Sequence, residues 1–131
     1  MANPRIPYRM SSERAPLPPF RGRRIVVHLV VNVEHWQFES AMPRTIITPP
    51  HGKETVPDVP NFSWADYGMR AGLPRILKLF ADRGLPASTS FNAGVIDAYP
   101  QAAAAMRDAG WEFIGHGMHQ KAANHVEGGE E

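Results

Sequence analysis

The chain has 131 residues, of which 43% are hydrophobic and 21% are charged, and its formal net charge is +1. This length allows at most one domain, and the apolar fraction is compatible with a packed core. The sequence lacks both a run of about 18 apolar residues and the apolar core of a signal peptide, so we expect no membrane span and a cytoplasmic location. The absence of cysteine excludes disulfides and thiolate metal sites.

The basic charge is concentrated at the amino terminus. Residues 1–24 contain six Arg and one Glu, together with five Pro, and they show no apolar periodicity. We therefore predict a disordered basic arm over residues 1–23 and a folded domain over residues 24–131. Basic arms can bind nucleic acid, but this one lacks interleaved aromatic residues and a nucleic-acid motif, so we expect no such partner.

The first predicted element is a strand at Ile25–Val31, which is β-branched and almost continuously apolar. Such a run is typical of a strand that is buried on both faces of a parallel sheet. A proline-rich stretch follows over residues 37–62, and irregular connections of this length are often functional.

Two helices and two further strands are predicted after the long connection. Apolar residues at helical spacing predict a helix that has Pro74 in its first turn and Gly84 just past its end; they are Leu73, Ile76, Leu77 and Phe80. A strand is predicted at residues 87–92, a second helix at residues 100–109 and a third strand at residues 111–114. The order predicts an α/β fold of consecutive βαβ units in a parallel sheet.

Polar residues stand at or just beyond the carboxyl ends of all three predicted strands. Asn32 and Glu34 follow the first strand, Asn92 closes the second, and His116 follows the third. Parallel α/β sheets and barrels bind ligands at this edge, so the three strand ends predict one site.

Glu34 and His116 are the predicted catalytic residues. A carboxylate after an apolar strand suits proton transfer or metal binding. An imidazole between Gly115 and Gly117 suits a general acid, a metal ligand or an oxyanion stabiliser. The alternatives are a partly exposed glutamate that ends a strand and a structural histidine.

Further residues are predicted to contact substrate, each with a structural alternative. They are Asn32, His35, Trp36, Tyr67, Arg70 and Asn92. The aromatic side chains would line a pocket for a sugar or heterocycle, or else belong to the core. Arg70 would bind a carboxylate or carbonyl group of the substrate, or else be a solvated arginine. Asn92 would bind substrate or cap a turn.

A complete zinc site is not evident in the sequence. Gln120 stands four residues after His116, where a two-histidine site would need a second imidazole, and zinc prefers nitrogen, sulfur and carboxylate ligands. A weak site of Glu34 and His116 with Gln120 or His119 stays open.

Taken together, these segments resemble the polysaccharide deacetylase family (NodB homology, carbohydrate esterase family 4), and within it the branch of cofactor-independent allantoinase-like proteins. The resemblance runs in order through residues 24–126. It is carried by Asn32-Val33-Glu34-His35-Trp36, by the stretch from Pro57 to Arg70, by Phe91-Asn92-Ala93 with Tyr99-Pro100, and by Gly110-Trp111-Glu112-Phe113-Ile114-Gly115-His116-Gly117.

The resemblance implies the N-terminal portion of a distorted (β/α) barrel that hydrolyses amide C–N bonds. Family members carry Thr-Phe-Asp-Asp at the first strand end and His-x-x-x-His later, which supply one Asp and two His as metal ligands and the other Asp as base. Here Asn32-Val33-Glu34-His35 replaces the Asp pair, so Glu34 matches either the base or the ligand, and Gln120 replaces the second His. Both departures weaken a divalent-metal site, so the resemblance implies no cofactor, with zinc as the alternative.

The resemblance thus implies a hydrolase of non-peptide amides, in N-acetyl sugars or allantoin-like ureides, and an incomplete chain. The later family motifs, which include a further catalytic histidine, would lie beyond Glu131. The alternative is a non-catalytic truncated homologue that binds carbohydrate or a partner. A homo-oligomer is also open.

Overall fold

A computed structural model describes residues 8–49 and 52–121 of the chain. The predicted arm is therefore described only from Tyr8 onward, and residues 122–131 of the predicted domain lie outside the described part. The elements are three strands, β1 (Val30–Val33), β2 (Ser88–Phe91) and β3 (Glu112–Gly115), and four α-helices, α1 (Val59–Tyr67), α2 (Leu73–Asp82), α3 (Val95–Ala98) and α4 (Pro100–Asp108). A short 3₁₀ turn, Ser11–Glu13, lies in the exposed amino-terminal part.

The three strands form one parallel sheet in the order β1-β2-β3, which confirms the parallel α/β prediction. Val33, Phe91 and Gly115 are aligned across the sheet, so the three carboxyl ends lie level with one another. This register brings the polar residues after the three strands to one edge of the sheet.

The helices cover one side of the sheet and form a small core. Val95 and Met106 are fully buried, and Leu73 and Phe91 are nearly so. Burying a side chain of this size contributes about 1.5–3 kcal/mol, so these few residues supply much of the apolar stabilisation. The apolar stripe predicted for α2 is confirmed, since Ile76, Leu77 and Phe80 pack against this core.

α1 and α2 are joined by a π-helical segment, Gly68–Gly72, into one continuous helix that begins at Val59. The sequence predicts only the part from Leu73, because the apolar spacing is clear only there. Asp58 caps the amino terminus by accepting a hydrogen bond from the backbone N–H of Asn61 at 3.1 Å. The fully buried Asn61 accepts from the N–H groups of Ile46 and Ile47 and donates to the Ile47 carbonyl, so it attaches the long connection to the helix.

The prediction of a buried strand over Ile25–Val31 is wrong except that Val30 and Val31 lie in a strand, and none of its seven residues is buried. β1 begins only at Val30, and Ile25, Val26 and Val27 are exposed to 80%, 67% and 75%. The register places residue 86 of the neighbouring chain segment beside residue 28. Pro86 has no N–H to donate, so the ladder between β1 and β2 cannot extend in that direction.

A chain of side-chain hydrogen bonds crosses the amino ends of the strands. The His28 imidazole Nε2 lies 2.8 Å from Ser88 Oγ, and Ser88 Oγ donates to Glu112 Oε2 at 2.7 Å. This chain ties the segment before β1 to β2 and β3. In the described ranges, no helix has the length and apolar character that a membrane crossing requires.

Candidate active site

Asn92 holds the carboxyl ends of the three strands together. Its Oδ1 accepts a hydrogen bond from the His35 backbone N–H at 2.9 Å, and its Nδ2 donates to the His116 carbonyl. Its own N–H donates to the Val33 carbonyl at 3.2 Å, and the side chain is fully buried. Since backbone groups occupy both ends of the amide, the structure favours the second of the two sequence alternatives, a residue that fixes the turn.

His35 and His119 form a pair of imidazoles above the turn that follows β2. Their Nδ1 atoms lie 2.9 Å apart although the residues are 84 positions apart in the chain. One nitrogen must donate and the other must accept, so at least one ring is neutral and the pair shares a single proton along this contact. The Gln120 N–H also donates to the His35 carbonyl at 2.9 Å, which fixes the segment around His119.

Gly94 makes room for the two imidazoles. A Cβ atom at this position would lie 2.6 Å from the Nδ1 of His119 and 2.6 Å from the Nδ1 of His35. Its N–H donates to the Met118 carbonyl, as the neighbouring Ala93 N–H does to the Gly117 carbonyl, each at 2.9 Å. The glycine is therefore required here for close approach.

Burial and the neighbouring imidazole favour the neutral form of His35. Its pKa is lowered from the usual 6.5, first because burial removes the ring from water and second because His119 would repel a positive charge. Asp97 acts in the opposite direction and offsets part of this change.

Glu34 lies in a cleft of about 240 Å³ between β1 and the long helix. Its side chain is 15% exposed, and its Oε2 accepts from Trp36 Nε1 at 2.9 Å and lies 3.6 Å from a guanidinium nitrogen of Arg44. The Arg44 guanidinium also lies over the Trp36 ring, 5.7 Å from its centroid. Trp64 lines the cleft next to Trp36, with the two ring centroids 6.2 Å apart, and Asn32 also lines the cleft.

His116 lies in a different depression, which is bordered by the apolar residues along β3. This depression has a volume of about 520 Å³, and Phe91, Ile96, Phe113 and Met118 contribute to its wall. β2 and the Asn92 turn separate it from the cleft that contains Glu34. The structure therefore brings His119, and not His116, to the end of β1.

Tyr67 and Arg70, which were predicted to contact substrate, form hydrogen bonds with other side chains of the chain. Arg70 Nε donates to Asp66 Oδ2 at 2.5 Å, and the Tyr99 hydroxyl donates to Asp66 Oδ1 at 3.3 Å. Burial, followed by the nearby Asp66 carboxylate, raises the pKa of Tyr99. The exposed Tyr67 hydroxyl accepts from Arg75 at 2.9 Å.

The donor set does not fit the divalent-metal site that the family pattern implies. Among residues 8–49 and 52–121, no three His, Cys, Asp or Glu side chains are close enough together to hold a metal ion. Glu34 is engaged by Trp36 and Arg44, and Gln120 supplies an amide in place of an imidazole.

Sequence reasoning missed Gly94, Arg44 and the contact between His35 and His119. Gly94 stands in the Asn92-Ala93-Gly94 turn that closes the second predicted strand, but its need for close approach depends on His35 and His119, which lie far away in the chain. Arg44 lies in the long connection without a local pattern, so its contact with Glu34 depends on how that connection folds back.

The comparisons with known proteins give one match. The family profile described as polysaccharide deacetylase matches residues 62–128, which is half of the chain. Neither the curated proteins nor the solved structures gave a match. Asn92 and His116 lie inside the matched residues, whereas Glu34 and His35 precede them. With its parallel α/β sheet, the chain belongs to the polysaccharide deacetylase family and is a deacetylase-like hydrolase domain.

Proposed function

We propose that the chain is the N-terminal part of an amide C–N hydrolase of the allantoinase-like branch, and that its three strands are the first of a distorted (β/α) barrel. The observation that carries the proposal is the Asn92 junction. It holds the Glu34-His35 strand end beside the segment from His116 to Gln120, which contains the family's histidine position. The family match covers that second segment.

Glu34 is proposed to activate water or orient the substrate. Trp36 and Arg44 both reach Oε2, so within the described residues Oε1 has no hydrogen-bond donor and is left for water or substrate. A carboxylate that accepts a hydrogen bond from Trp36, forms an ion pair with Arg44 and is only 15% exposed suits a general base. His116 is proposed to bind the carbonyl side of the substrate.

A substrate that contacts both residues must cross the turn after β2, since Glu34 and His116 line different depressions. An extended substrate, such as an N-acetylated oligosaccharide, could contact both depressions. A small ureide would occupy one of the two depressions.

The test is hydrolysis of an N-acetylated oligosaccharide and of allantoin, by the 131-residue chain and by any longer product that the coding DNA specifies past Glu131. Glu34→Gln should lower the rate by about 10²–10⁴-fold, as expected for loss of a general base. Glu39→Gln, in an exposed part of the connection, is the matched control and should retain activity. Full activity of Glu34→Gln would refute the assignment.

Metal dependence distinguishes the allantoinase-like branch from the metal-dependent deacetylases. The proposal expects the rate to survive a chelator. Loss of activity on chelation with recovery on adding zinc would contradict it.

A second function, carbohydrate binding without catalysis, is favoured by the aromatic walls of the cleft. Trp64 is half-exposed beside the buried Trp36, and such amphipathic rings suit the apolar face of a sugar. Calorimetric titration with an N-acetylated oligosaccharide should then detect binding that Trp64→Ala weakens. Binding without turnover, even in the longer product, would favour this function over hydrolysis.

A further inference from the structure

Arg44 brings a guanidinium group to the cleft that contains Glu34. Its side chain is 60% exposed, and a guanidinium nitrogen lies 3.6 Å from Glu34 Oε2. Within residues 8–49 and 52–121 the guanidinium forms this ion pair and lies over the Trp36 ring, but it donates no hydrogen bond, since 3.6 Å is too long for one. An arginine carries five N–H donors, so this cation can bind a ligand without giving up the ion pair.

The cleft therefore holds an acceptor and a donor side by side. The Glu34 carboxylate can only accept hydrogen bonds, and the Arg44 guanidinium can only donate them. A group that satisfies both must carry a donor and an acceptor on one edge. An N–H beside a C=O meets this requirement, because standard bond lengths put the nitrogen and the oxygen of an amide about 2.3 Å apart.

The conformation of the amide decides which amides have such an edge. In an acyclic amide, such as the N-acetyl group of a sugar, the preferred trans form points the N–H and the C=O in opposite directions. In a five- or six-membered ring the amide is held cis, so that the N–H and the C=O share one edge. The terminal NH₂ of a ureido group also has one N–H on the same side as the carbonyl oxygen.

The size and the walls of the cleft also suit a small flat ligand. Its volume of about 240 Å³ is below the range of about 300–1,000 Å³ that is typical of pockets for drug-sized ligands. The half-exposed Trp64 ring offers an apolar face on which a flat ring can stack. His116 lines a different depression, so the carbonyl contact of a ligand this small falls to Arg44.

We propose that Arg44 determines substrate specificity by donating to the carbonyl oxygen of a ring amide or ureido group whose adjacent N–H donates to Glu34 Oε1. This inference rests on the proposed function, and it selects orientation of the substrate from the two roles proposed there for Glu34. The ion pair stays in place, because the ligand uses the second carboxylate oxygen and other N–H groups of the guanidinium.

The first test is titration of the 131-residue chain, and of any longer product, with ethyleneurea, a five-membered ring urea, followed by tryptophan fluorescence. Ethyleneurea should bind. Its N,N′-dimethyl derivative retains the ring and the carbonyl but has no N–H, so it should bind about 10-fold more weakly or worse. N-acetylglucosamine, whose amide is trans, should also bind more weakly than ethyleneurea.

Variants of the same chain identify the side chain that is responsible. Arg44→Ala should raise the dissociation constant for ethyleneurea by about 10-fold or more, because a charge-assisted hydrogen bond is lost. Arg44→Lys retains a positive charge and N–H donors and should recover part of this loss. Lys53→Ala, at an exposed lysine of the same connection that does not line the cleft, is the matched control and should bind as the wild type does. Circular dichroism verifies that each variant is folded.

The outcomes separate this inference from the proposed function. Absence of ethyleneurea binding, equal binding of the dimethyl derivative, an unchanged dissociation constant in Arg44→Ala, or no recovery in Arg44→Lys would each overturn the inference. Hydrolysis is measured separately on allantoin and on an N-acetylated oligosaccharide. A chain that binds ethyleneurea through Arg44 but hydrolyses neither substrate would refute the proposed function alone. Hydrolysis of both substrates by Arg44→Ala at the wild-type rates would refute the inference alone.

Discussion

At the scale of single residues, the site is organised by side chains that need not take part in the chemistry. Asn92 joins the end of β1 to the segment after β3, and Gly94 provides the space in which His35 and His119 meet. Neither residue has an acidic, basic or nucleophilic group. They fix the positions of Glu34, His35 and His119. We therefore expect substitutions of Asn92 and Gly94 to change the free energy of unfolding.

Asn92→Ala should destabilise the chain by about 2–4 kcal/mol. The change leaves the His35 N–H and the His116 carbonyl without their partner, and each buried polar group that loses its partner costs about 1–3 kcal/mol. Urea unfolding measures the effect. Asn32→Ala, at an exposed asparagine on β1, is the control and should lie within about 0.5 kcal/mol of the wild type.

Gly94→Ala should separate the two imidazoles. The added methyl group would lie 2.6 Å from both Nδ1 atoms, and overpacking of this kind costs about 1–3 kcal/mol. The matched control is Gly72→Ala, where the structure has nothing within 4 Å of the added atom and the backbone is helical. That change should stabilise the chain by about 0.5–1 kcal/mol, and equal effects of the two substitutions would contradict the close approach at Gly94.

The free energy of unfolding should fall as the pH drops below about 6.5. The pKa of His35 is lower in the folded chain than the usual 6.5, so the unfolded chain binds more protons in the interval between the two values. Stability from the neutral ring is therefore present above 6.5 and lost as the pH falls through the folded pKa. Urea unfolding as a function of pH should show a smaller loss for His35→Gln than for the wild type, and exposed His116→Gln serves as control.

At the scale of elements, the sequence predicts what local pattern encodes. α2, α4, β2 and β3 occur close to their predicted places, because apolar spacing and the glycines after the helices are local signals. The sequence does not predict α1: its first turn falls in the connection predicted over residues 37–62, because its start depends on the Asp58 cap and on contacts of Asn61 with residues 14 and 15 positions away. The short helix α3 was also missed.

Asp58→Ala should lower the free energy of unfolding by about 1–2 kcal/mol. It removes the cap of the long helix and one hydrogen-bond partner of the buried Asn61 side chain. Thermal or urea unfolding measures the loss. Asp108→Ala, at an exposed aspartate at the end of α4, should change stability by less than about 0.5 kcal/mol; a comparable loss there would argue against a capping effect.

At the scale of the whole molecule, a small three-stranded sheet carries a one-sided core and leaves apolar residues exposed at both edges. β3 is exposed along its length, and Ile96, Phe113, Ile114 and Met118 form an apolar surface beside it. Surfaces of this kind bind apolar dyes and other chains.

The chain should accordingly enhance the fluorescence of anilinonaphthalene sulfonate at neutral pH while its near-ultraviolet circular dichroism shows fixed tertiary packing. Phe113→Ser should reduce the enhancement, because it removes the largest ring of the exposed surface. Absence of dye binding by the wild type would show that this surface is covered in solution.

By itself the sequence determines the order of the three strands and of α2 and α4, the parallel α/β class and the placement of polar residues at three strand ends. These properties follow from periodicity, turn residues and strand length, which are encoded within short segments. Tertiary structure decides which of those polar residues meet: His35 with His119 rather than Glu34 with His116, and Asn92 with backbone rather than with solvent. It also decides that the strand starts at Val30, since Pro86 on a neighbouring segment ends the ladder. Such contacts join residues many positions apart, so they depend on how the segments pack and not on any local pattern.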